Sequence, residues 1–86
     1  MHEMSIALEV CRITEEYVRP TPLSNVVEVA MEVGDEAGIE IENLEFCLEA
    51  LLASPPFGRA KPVIQRSRGD VLRVIHLEVE DDGPED

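Results

Sequence analysis

The residues of this chain best suited to chemistry stand at its start, Met1-His2-Glu3-Met4-Ser5. An α-amine beside the imidazole of the second residue offers two nitrogen donors a few bonds apart. The backbone amides of His2 and Glu3, once deprotonated, complete a planar set of four nitrogens. Such a set suits Ni(II) and Cu(II) better than Zn(II). An α-amine and an imidazole ordinarily titrate near pH values of about 8 and about 6.5, so uptake at such a site weakens on mild acidification. A second-position histidine is more often an idle terminal residue than a ligand, so this pattern needs support from the rest of the chain.

The remaining reactive residues read as structural. His76 is a second candidate ligand, of an accessory kind, but a locally satisfied polar strand residue is the favoured reading. Cys11 and Cys47 fall on apolar faces with nothing basic spaced to activate them, which describes buried thiols rather than nucleophiles. Arg68-Gly69-Asp70 matches an integrin-binding tripeptide, yet no secretory leader is apparent, and a turn is the simpler reading. Glu15-Glu16 and Asp81-Asp82 are solvated pairs, since catalytic carboxylates need a cleft that raises one pKa. No glycine-rich phosphate loop is present. These observations argue against an enzyme.

The chain has 86 residues, with 7 basic and 19 acidic side chains and a net charge of −12. That length describes one small domain. So acidic a surface repels nucleic acid and anionic membrane. Two cysteines make neither a disulfide framework nor a four-cysteine metal site. A reduced, cytoplasmic protein is expected. The charge is uneven: residues 59–80 carry Arg59, Lys61, Arg66, Arg68 and Arg73, a basic stretch that can balance acidic elements of the same domain.

Residues 3–18 show helical spacing. Met4, Ala7, Leu8, Cys11 and Val18 lie on one side, and Ile6, Val10, Ile13 and Tyr17 on an adjacent one, until Pro20 and Pro22 stop the run. Residues 26–33 alternate as a half-buried strand, with Val27, Val29, Met31 and Val33 on the core face. Residues 41–53 form a second helix with Ile41, Leu44, Leu48, Leu51 and Leu52 inward, although no Ser, Thr, Asp or Asn caps its start. Residues 60–67 and 70–80 read as two strands joined in a hairpin at Arg68-Gly69. Pro62 marks an edge, and a phase break predicts a bulge near Ile75-His76. The expected fold is α+β, with two helices packed on one face of a small three-stranded sheet in the order α-β-α-β-β. The domain spans residues 1–80, and residues 81–86 form an acidic, disordered tail.

The opening motif, followed at once by an apolar helix, resembles the HypA/HybF family of nickel-incorporation proteins. Further segments are similar in order: Val29-Ala30-Met31-Glu32-Val33-Gly34, Leu44-Glu45-Phe46-Cys47-Leu48-Glu49, Gly58-Arg59-Ala60-Lys61-Pro62-Val63-Ile64, Gly69-Asp70-Val71-Leu72-Arg73-Val74 and Leu77-Glu78-Val79-Glu80. The resemblance implies transient Ni(II) binding at His2, with the Met1 amine and the Glu3 backbone as further donors and the Glu3 side chain in partner contact or tuning. It implies a hydrogenase-maturation GTPase and the hydrogenase large subunit as partners. The family normally carries a zinc module of two Cys-x-x-Cys pairs between the last two strands. Here Ser67-Arg68-Gly69-Asp70 holds that place, so structural zinc is not expected.

Two readings follow. The chain is a nickel metallochaperone that hands over its ion by ligand exchange at an exposed terminus. The alternative is a metal-independent interaction adaptor built on the same fold. An unpaired edge strand leaves homodimerisation open.

Overall fold

The computed structural model describes residues 2–80; Met1 and the acidic segment 81–86 lie outside the described residues. The element order is α1 (Glu3–Val18), a short 3₁₀ turn (Leu23–Asn25), β1 (Val26–Gly34), α2 (Ile41–Leu52), β2 (Lys61–Ser67) and β3 (Leu72–Val79). Both helices match the expected spans to within a residue, and the α+β architecture is as expected.

The sheet order is β2-β1-β3. β1 pairs with β2 in parallel, placing Val29 beside Pro62, and with β3 antiparallel, placing Val29 beside Leu77. This corrects the expected hairpin. β2 and β3 are not neighbours but opposite edges, and Arg68-Gly69-Asp70 crosses the end of β1 instead of reversing the chain. The crossing is bound to β1's end by backbone bonds. The Gly34 amide donates to the Val71 carbonyl (2.7 Å), that of Asp35 to Ser67 (2.9 Å) and that of Glu36 to Gly69 (2.7 Å). The Asp35 carboxylate in turn accepts from the Gly69 amide at 3.0 Å. Gly34 is required for a steric reason: a Cβ there would fall against the Gly69 carbonyl and the Val71 nitrogen. Gly69 itself has φ +89°, a left-handed conformation that glycine adopts without strain. Pro62 sits on an edge strand, as expected.

The predicted bulge is present. Ala30 pairs with His76 and Met31 with Val74, leaving Ile75 as the extra residue. A second irregularity leaves Val27 unpaired, because Val26 meets Val79 and Glu28 meets Glu78. It corrects the expected core face of β1: Val26, not Val27, joins Val29, Met31 and Val33 in full burial. Alternation alone could not show this, since one inserted residue inverts every position before it.

The core lies between the helices and one sheet face. α2 packs over β2 and α1 over β3, and the helices pack on each other. The expected faces of α1 are narrowed. Ile6, Ala7 and Val10 are buried with Thr14, while Met4, Leu8 and Tyr17 are exposed. Thr14 enters the core because its hydroxyl donates to the Val10 carbonyl at 2.8 Å, which satisfies it locally. On α2, Leu44, Leu48 and Leu52 are buried as expected and Cys47 joins them, whereas Ile41 and Leu51 are half-buried. Part of the basic stretch balances acidic neighbours: Arg73 donates to Glu32 across β3 and β1 at 2.8 Å, and Arg59 pairs with Glu80. Among the described residues, no helix is long and apolar enough to cross a membrane.

Two outcomes are expected. Gly34→Ala pushes the crossing segment off the end of β1 and lowers stability by roughly 1–3 kcal/mol, measured by urea denaturation. The hydrogen bond from Arg73 holds the Glu32 carboxyl below the usual range. A depressed carboxylate stabilises the fold above its unfolded pKa and loses that contribution as pH falls through the folded value. Glu32→Gln is therefore less stable than the parent at neutral pH, and pH-resolved denaturation shows the two converging below the ordinary carboxylate range.

Candidate metal centre

His2 is the N-cap of α1. It is exposed, and its backbone is extended, with φ −81° and ψ 142°. Its carbonyl already accepts the first helical bond, from the Ile6 amide at 3.2 Å. Glu3 follows as the first helical residue. The leading N–H groups of an α-helix have no acceptor within the helix. The amides of His2 and Glu3 are thus the backbone donors a metal ion can claim without breaking helical hydrogen bonds. The Met1 amine, the remaining donor of the expected set, lies outside the described residues.

The Glu3 side chain has a structural task. One carboxylate oxygen accepts from the Glu40 amide at 2.9 Å, and the other accepts from the Asn43 side-chain amide at 3.1 Å. Glu40 is the N-cap of α2 and makes no side-chain cap of its own. In a capping box the third helical residue reaches back to the N-cap amide. Here a carboxylate from another helix performs that step, and Asn43, at the third position, binds the same carboxylate. This answers the missing cap of α2. The Glu40 amide first, then the Glu3 amide itself and the Asn43 side chain, hold the Glu3 carboxyl below its ordinary pKa. The start of α1 is thereby fastened to the start of α2. Asn43 and Glu40 were not singled out from sequence. The available signal was the uncapped helix start, which had to find a partner elsewhere.

His76 is not brought to this end. It lies on β3, paired with Ala30 in mid-sheet, with Glu28 and Glu78 near its imidazole. Expected as a locally satisfied strand residue, or else as a fifth ligand or accessory site, it has a separate setting in the sheet. Cys47 is buried, and Cys11 is half-buried with its thiol pKa raised by desolvation. A raised pKa keeps a thiol protonated and weakly reactive. Two cysteines on different helices, with no Cys-x-x-Cys pair, do not supply a four-thiolate centre.

Residues 1–72 match the family model described as hydrogenase/urease nickel incorporation, metallochaperone, hypA. The chain is 38% identical over 65 residues to a hydrogenase maturation factor HypA of Chlorobaculum parvum, covering 76% of this chain and 58% of that protein. It is 31% identical over 70 residues to the HypA of Parabacteroides distasonis, covering 81% and 61%. It is 40% identical over 52 residues to that of an Azoarcus species, covering 60% and 46%. The chain thus spans about half the length of the curated relatives it matches. The family consists of accessory proteins for nickel incorporation rather than enzymes. On the match over residues 1–72, the chain belongs to the HypA family of nickel-incorporation metallochaperones.

Proposed function

We propose that this chain carries Ni(II) at its amino terminus and assists nickel insertion during maturation of [NiFe]-hydrogenase. The observation that carries the reading is the position of His2 and Glu3. They begin an ordered helix, their amides have no helical acceptor, and His2 is exposed. The Met1 amine, the His2 imidazole and the amides of His2 and Glu3 form the donor set. Nickel is the cargo. An open site at a helix end lets an acceptor's donors replace these one at a time, which suits transfer better than storage. The cap formed by Glu3 limits how far the two amides can wander before the ion arrives.

The partners in this reading are a hydrogenase-maturation GTPase and the hydrogenase large subunit, met in the cytoplasm. What supports a place in hydrogenase maturation is the family match and the relatives' names as hydrogenase maturation factors. No structural zinc takes part in it, in keeping with the absence of Cys-x-x-Cys pairs. The accessory role of His76 is set aside in favour of the separate site argued below.

Calorimetry and the absorption of planar nickel test the donor set. The protein with its native terminus should bind one planar Ni(II). His2→Ala, or extra residues placed before Met1, should abolish that signal. Glu3→Pro and Glu3→Gln separate the amide from the carboxylate. Proline is well tolerated at the first helical position but has no N–H to give up. Glu3→Pro should therefore lose planar nickel while Glu3→Gln keeps it. Equal binding by the parent and His2→Ala would sink the reading and leave the metal-independent adaptor.

A further inference from the structure

We infer that Glu28, His76 and Glu78 form a second site for a divalent first-row transition-metal ion, on the sheet face turned away from the helices. Three observations carry this. The first is register. Glu28 and Glu78 stand directly opposite each other on β1 and β3. Like charges facing each other across antiparallel strands destabilise the pair unless something positive lies between them. The second is the bulge. Leu72 and Val74 face the core, so strict alternation would turn His76 and Glu78 inward as well. The extra residue at Ile75 reverses that phase, returns Leu77 to the core and sends His76 and Glu78 to the outer face beside Glu28. Bulges commonly re-aim side chains in this way.

The third observation is distance. His76 Nε2 stands 3.9 Å from Glu28 Oε2 and 3.9 Å from Glu78 Oε1. Ligand atoms of all three residues lie within 4.8 Å of one another. Donors held about 2.0–2.2 Å from such an ion stand roughly 3.0–3.5 Å apart. Small rotations of these accessible side chains close the difference.

The donor set, one imidazole and two carboxylates, suits Zn(II), Ni(II) or Cu(II) rather than Cu(I). Three protein ligands leave positions for water, so the ion exchanges freely. Of the other charged groups near these residues, Arg59 is engaged with Glu80. Arg73 is engaged with Glu32. Lys61 holds the register position beside Glu28 on β2 and is the cation an incoming ion must outcompete. The site is distinct from His2 and Glu3, which stand at the start of α1 in the helical layer.

Nickel itself tests the site, because the two centres differ in spin state. Planar four-nitrogen nickel is diamagnetic, whereas an imidazole, two carboxylates and water give paramagnetic nickel. In the full chain carrying His2→Ala, added Ni(II) should broaden the NMR signals of Glu28, His76 and Glu78 and leave those at the start of α1 sharp. Adding His76→Gln should weaken binding by at least roughly tenfold, the lower bound for losing even a ligand's supporting contact. Glu28→Gln should act in the same direction, and Zn(II) should shift the His76 imidazole signals without broadening them. Equal affinity with and without His76→Gln, or no broadening at His76 at millimolar nickel, overturns the site. Neither result bears on the terminal centre, which His2→Ala has removed.

Discussion

Everything in this domain is referred to the central strand. β1 alone pairs with both other strands, parallel on one side and antiparallel on the other. Its Val26, Val29, Met31 and Val33 side chains are wholly buried beneath the helices. Parallel pairing with β2 obliges the chain to cross over through α2, and antiparallel pairing with β3 obliges the next connection to pass the end of β1. Both demands meet at Gly34, where the absence of a side chain lets the connection lie close enough to exchange backbone hydrogen bonds. With the sheet held this way, α2 has one place to pack, and its amino end arrives beside that of α1.

That meeting of helix ends links packing to metal chemistry. Glu3 satisfies the start of α2 through its carboxylate while its amide begins α1. The carboxylate also accepts from the Glu3 amide itself, so coordination by that amide would give up this one bond while those from Glu40 and Asn43 remain. A helix start is otherwise a frayed place. Here it is tied to a second element through two hydrogen bonds, which supplies a backbone conformation before any ion is present.

Local patterns made the elements legible. The spacing of Ile6, Ala7 and Val10 and of Leu44, Leu48 and Leu52 marked both helices. The broken alternation after Val74 marked the bulge, and Met1-His2-Glu3 marked the end proposed to bind metal. The order of strands was not legible. Arg68-Gly69 suits a two-residue reversal and a tight crossing equally, and only the close approach at Gly34 distinguishes them. Nor was the burial of Thr14 visible, because it depends on a hydroxyl bonding within its own helix. The partnership of Glu3 with Glu40 and Asn43 spans about forty positions and follows from the helices' arrangement, which no short window contains.

The crossing at Gly34 also bears on how such a domain can grow. The ends it joins, Ser67 and Leu72, lie on opposite edges of the sheet with β1 between them. Two strand spacings separate them by about 10 Å. Any polypeptide inserted there would be suspended from two supports astride the central strand, not swung from a single pivot. Its orientation would be registered to the sheet by both arms, and a disturbance of it would be felt first at the carboxyl end of β1.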